Sequence, residues 1–88
     1  MSVTLAHCEG YEVLAEDGVV GEVEQALFPP GANEPDYIVV RVRRRMWGRV
    51  PVISTELVFA IDPARGLLWV RGDCERIAGL PEHLPLAI

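Results

Sequence analysis

The chain has 88 residues, 50% of them hydrophobic and 24% charged, with a formal net charge of −5. This composition excludes a disordered tail, which needs few apolar residues and a high net charge, and the scattered seven prolines and eight glycines exclude a coiled coil. At 9.7 kDa there is room for one domain with a thin core, a size at which a partner chain often supplies additional burial.

The sequence pI of about 4.9 sets a long-range repulsion against nucleic acid and anionic membrane. The balance is uneven, because all eight basic residues are arginines and five of them fall within residues 41–49. The two cysteines, Cys8 and Cys74, form no CxxC pattern. The N-terminus lacks the basic stretch and apolar run of a signal peptide, and no segment reaches the ~20 apolar residues of a membrane span. The expected location is therefore the cytoplasm, with both thiols reduced.

Strand-like runs recur every eight to twelve residues with turn signals between them, the pattern of a small barrel or sandwich. Residues 1–9 read as a loose lead-in. Residues 11–15 and 19–28 form a hairpin around Glu16-Asp17-Gly18. Pairing Ala15 with Val19 puts Tyr11, Val13, Gly21 and Val23 on one face and Glu12, Leu14, Val20 and Glu22 on the other. Gly21 inside a strand marks a bulge or sharp bend.

Residues 29–36, Pro-Pro-Gly-Ala-Asn-Glu-Pro-Asp, are a loop. Residues 37–43 and 48–54 make a second hairpin. Pairing Val42 with Val50 and Val40 with Val52 gives an apolar face and sets Arg43 opposite Arg49 outside, with residues 44–47 at the tip. Residues 58–62 and 67–72 make a third hairpin around Pro63-Ala64-Arg65-Gly66, where Gly66 supplies a positive φ. Phe59, Ile61, Leu68 and Val70 are expected in the core, and Val58, Ala60 and Trp69 on the other face. Asp73 caps a helical turn over residues 74–78, Gly79 stops it, and Ile77 and Leu80 close one barrel end.

This order of features resembles the PRC-barrel family. The likeness rests on a short strand, Tyr11 to Leu14, then Asp17-Gly18, then Gly21-Glu22-Val23. It continues in Val50-Pro51-Val52 and ends in Leu80-Pro81. It covers about residues 9–82 of a single domain spanning 1–88. The resemblance implies an all-β, six-stranded antiparallel barrel with one short C-terminal helical turn. It also implies a non-catalytic role, with members in photosynthetic reaction centres, in a small-subunit ribosome maturation factor, and as stand-alone short chains, the kind this sequence resembles. No catalytic motif is carried over.

The arginine hairpin is the sharpest local feature. A cross-strand pair of like charges costs stability, so an acid of this chain, or of a second copy, is expected to offset Arg43 and Arg49. Arg41, Arg43, Arg44, Arg45, Trp47 and Arg49 are candidate partner-binding residues, since arginine and aromatic side chains are enriched at protein interfaces. The same residues could hold phosphates and stack a base, or anchor the tip on an anionic membrane. Net charge and a small basic footprint count against nucleic acid. Trp69 has two readings: the C-terminal segment covers it through Leu84 or Leu86, or it anchors a protein interface.

His7, Cys8, Cys74 and His83 carry zinc-binding atoms, but their spacing fits no known site and no metal or cofactor is expected. Ser54 and Thr55 have no nearby base, and no Gly-rich phosphate loop is present. Glu12, Glu22 and Glu24 read as a solvated strand face. The sequence thus points to a non-catalytic protein-interaction or adaptor module, expected to be homodimeric. An RNA- or anionic-membrane-binding module working through the 41–49 hairpin is the alternative.

Overall fold

The computed structural model describes residues 5–43 and 48–84. Six strands, β1 (Glu12–Ala15), β2 (Gly18–Leu27), β3 (Tyr37–Val42), β4 (Val52–Ser54), β5 (Val58–Asp62) and β6 (Leu67–Val70), form one sheet in the order β4-β3-β2-β1-β6-β5. A single 3-10 turn (Thr55–Leu57) leads into β5, and α1 (Cys74–Ala78) packs on β1 and β2. The sequence reading of a small six-stranded barrel with a terminal helical turn holds, with two differences. The β1–β6 seam is parallel, not antiparallel. Among the described residues no ladder joins β4 to β5, so the sheet is a half-barrel with two edges.

Bulges set which residues enter the core. Beyond the hairpin tip the expected β1–β2 register is found, with Val13 opposite Gly21 and Glu12 opposite Glu22. At the tip Ala15 faces Gly18, one residue out of step, and the bulge that absorbs the difference turns Val20 inward. A second irregularity, between Val23 and Gln25, shifts the parity again. Val20, Val23 and Ala26 are therefore all buried from one strand, where strict alternation would bury every second residue. Val20 was expected on the outer face and sits at 1% exposure.

The second hairpin corrects the expected register by one residue. Tyr37 faces Ser54, Ile38 faces Ile53 and Val39 faces Val52. The same offset continues toward the tip, where the Val40 amide donates to the Pro51 carbonyl and the Val42 amide to the Arg49 carbonyl. A one-residue slip exchanges the faces of a strand. Pro51 and Ile53 are buried, while Val50 and Val52 are only partly covered. Arg43 consequently does not stand opposite Arg49.

In the third hairpin Ile61 pairs with Leu68 and Ala60 with Trp69, but the bulge between Val58 and Ala60 pairs Val58 with Val70. Val58 then packs against the core, and Phe59, expected inside, is 54% exposed. Gly66 adopts φ +66° as the turn requires. Asp73 caps α1 by accepting from the Arg76 amide, and Gly79 closes it by donating to the Glu75 carbonyl. Ile77 is buried and Leu80 packs against the core, as expected.

The lead-in is packed rather than loose over residues 5–9. Cys8 is fully buried, and Leu5 lies against the same cluster. Burial, with the nearby Glu9 charge adding to it, pushes the Cys8 thiol up from 9.0 to about 11. A group whose pKa is raised by folding stabilises the native state below its unfolded value and loses that contribution as pH rises through the folded one. Stability is therefore expected to fall between about pH 9 and pH 11. At pH 8 Cys8 should be alkylated no faster than the protein opens, as mass spectrometry of iodoacetamide-treated native protein would show. Rapid native labelling of Cys8 would contradict this placement.

Candidate protein-interaction surface

The arginines singled out in the sequence separate into different roles. Arg41 on β3 and Arg43, the residue after it, alternate with the buried Val40 and Val42 and are exposed. Arg41 Nη2 bonds Glu24 Oε1 at 2.6 Å, and Arg43 Nη2 lies 2.9 Å from Glu22 Oε2. The Glu24 hydrogen bond raises the Arg41 pKa still further. The expected acidic offset is thus supplied within the chain, by carboxylates on the neighbouring strand. The three glutamates do not form a bare acidic face, since two of them are paired with arginines.

Arg49 is turned the other way. Its Nε donates to the Ala78 carbonyl and its Nη2 to the Leu80 carbonyl, both at 2.8 Å, and Nη1 lies 3.7 Å from Glu82. A planar guanidinium suits such a two-carbonyl clamp. The Val50 amide donates to Glu82 Oε1 and the Val52 amide to the Pro81 carbonyl. Residues 80–82 are in this way fastened along the β4 edge. Arg44, Arg45 and Trp47 lie outside the described residues.

Trp69 sits in a different setting. On the outer face, the registers place Val19 beside Leu14, Leu14 beside Trp69, and Trp69 beside Ala60. All four are half-buried, and together they form an apolar row across β2, β1, β6 and β5. Glu16, Asp17 and Asp62 border the sheet near this row, but no charged residue interrupts it. Of the C-terminal segment, residues 80–82 run along β4, and Leu84 is itself 48% exposed. Leu86 lies outside the described residues. The row ends at β5, an edge strand whose outer side pairs with no strand among the described residues. Phe59, from the bulge, is exposed on this edge. Sequence reasoning found Trp69 and Ala60 but missed Val19, Leu14 and Phe59, because the parallel β1–β6 seam and the β5 bulge have no local signature.

The Ser54, Thr55 and Cys74 side chains are engaged within the fold. The Ser54 hydroxyl caps the 3-10 turn by accepting from the Glu56 amide. The Thr55 hydroxyl contacts the Pro35 and Asp36 carbonyls. No disulfide joins Cys8 to Cys74, and the Cys74 thiol lies 3.4 Å from the Gly18 carbonyl. Among the described residues no three His, Cys, Asp or Glu side chains gather as a metal site. A shallow hollow of about 270 Å³ beside β4, between Tyr37, Val52, Leu57, Pro81 and His83, is mainly apolar.

No protein-family model and no curated protein matches this sequence. Among solved structures, the chain is similar to a crystal structure described as a 16S ribosomal RNA processing protein, RimM, from Pseudomonas aeruginosa, with a TM-score of 0.60 and 23% identity. The match covers 80% of this chain and 44% of that one, so the chain spans less than half the length of the protein it matches. At this identity the likeness is one of fold. It agrees with the PRC-barrel-like architecture to which the sequence motifs point. No helix among the described residues is long and apolar enough to cross a membrane.

Proposed function

We propose that this domain is a non-catalytic protein-interaction module that self-associates. Its docking surface is the apolar row Val19–Leu14–Trp69–Ala60 together with the β5 edge. The observation that carries this reading is the continuity of the row with an edge strand that has no strand partner on its outer side among the described residues and bears an exposed phenylalanine. Single exposed apolar side chains are ordinary, whereas a contiguous apolar strip ending at an open strand is a feature of interaction surfaces.

Hydroxyl-radical footprinting at low and high protein concentration tests this proposal. Oxidation of Phe59 should drop as the protein is concentrated, while Phe28, exposed at the end of β2, stays equally reactive. Equal labelling of both phenylalanines at every concentration would contradict the proposal.

A second reading, RNA binding through the arginine hairpin, has the printed name of the structural neighbour in its favour. Against it, Arg41 and Arg43 are paired with glutamates and Arg49 is clamped on backbone carbonyls. Phosphate binding would show a steep, log-linear loss of affinity with salt. A salt-insensitive association would argue for the protein-binding role.

A further inference from the structure

We infer that the β5 edge is the seam at which two copies of this chain join, antiparallel about a twofold axis at Ala60. This rests on the self-association proposed above and specifies its geometry. An unprotected edge strand presents a row of backbone donors and acceptors ready for another strand. The other sheet edge is already fastened, since the Val52 amide donates to the Pro81 carbonyl and residues 80–82 lie along β4. β5 has no such cover among the described residues, and its stretch Val58-Phe59-Ala60-Ile61 carries no charge.

Charge selects the register. A chain of net charge −5 repels its copy, so the seam must keep acids apart or opposite to bases. Centring on Ala60 sets Val58 against Asp62 and Phe59 against Ile61, and no two carboxylates face one another. The same register carries the 63–66 turn of each copy toward the 3-10 turn of the other, with Ala64 in line with Glu56. Arg65 of each copy is thereby brought beside Glu56 of its mate. Arg65 is 77% exposed and holds its own Asp62 only loosely, at 3.7 Å. Glu56 is exposed and makes no ion pair among the described residues. Two Arg65–Glu56 pairs would then flank the seam by symmetry.

The joined sheet places the two Ala60 residues at its centre. The apolar row continues from Leu14 and Trp69 of one copy to Trp69 and Leu14 of the other, a platform twice the length of the single one. The bulge at Phe59 shortens the regular ladder, so the contact is small and the dimer weak, with a dissociation constant expected on the order of micromolar.

Charge exchange tests this seam. Sedimentation equilibrium would give the dimer dissociation constant for the wild type, E56R, R65E and the double variant E56R/R65E, with circular dichroism verifying that each surface variant folds. Either single reversal should weaken the dimer roughly threefold to thirtyfold, and the double should restore it, as expected for two exposed ion pairs. Amide exchange of the β5 residues whose N–H points away from β6 should slow as the wild type is concentrated, while the alternate amides bonded to β6 stay unchanged. A dimer whose dissociation constant stays within twofold in both single variants, or is not restored in the double, would overturn the seam while leaving self-association standing. A wild type that remains monomeric at millimolar concentration would overturn self-association itself.

Discussion

Substituting Gly21 by alanine is expected to destabilise the domain by at least about 3 kcal/mol, the scale of a severe steric insertion into a packed interior. Gly21 is buried opposite Val42, at the point where the β1–β2 bulge resolves. A Cβ built there would overlap the carbonyl oxygen of Arg41 and stand 2.8 Å from its carbonyl carbon and 3.0 Å from the Val42 Cα. All three are backbone atoms of β3, so no side-chain rotation relieves the clash. β2 and β3 make the most extensive strand pairing in the molecule, and separating them opens the core around Val40 and Val42. Small domains hold only about 5–15 kcal/mol in total, so the variant should lose a large part of its margin. Urea denaturation followed by circular dichroism measures this. A midpoint shift equivalent to less than about 1 kcal/mol would show that β2 and β3 approach less closely than described.

Arg49→Ala is expected to cost about 2–3 kcal/mol, because it strips the Ala78 and Leu80 carbonyls of a charged donor that holds both. Arg49→Lys should recover little, since an ammonium cannot span two carbonyls as the guanidinium fork does. The loss should be local as well as global. The Val50 and Val52 amides, which donate to Glu82 and to the Pro81 carbonyl, should exchange faster in the variant. Arg43→Ala, which removes an exposed pair with Glu22, should change stability by less than about 1 kcal/mol. Equal effects at Arg43 and Arg49 would contradict the separation of roles drawn between them.

That separation also marks where the sequence was informative. Strand positions other than the first half of the expected 48–54 strand, the loop over residues 29–36, the Pro63–Gly66 turn, the Asp73 cap and the Gly79 stop rest on local chemistry and are found as expected. Register is different. Residues 50–53, Val-Pro-Val-Ile, are apolar at every position, so both faces of β4 satisfied the pattern and the slip that turns Arg49 inward left no mark. The stabilising contacts of Arg49 come from carbonyls about thirty residues away, beyond any local periodicity. Gly21 did announce the bulge in β2, but the residue it displaces, Val20, is apolar and fits either face, as does Phe59 at the unannounced bulge in β5. The row through Trp69 depends on a parallel pairing between the first and last strands, which alternation within either strand does not encode.

The central claim is that this half-barrel self-associates through apolar surface at β5 while Arg41, Arg43 and Arg49 are held within the chain. Size exclusion with light scattering, run at two protein concentrations and at low and high salt, tests it most directly. The predicted result is a mass that rises with concentration toward twice 9.7 kDa and persists at high salt. A mass of 9.7 kDa under all four conditions would contradict it.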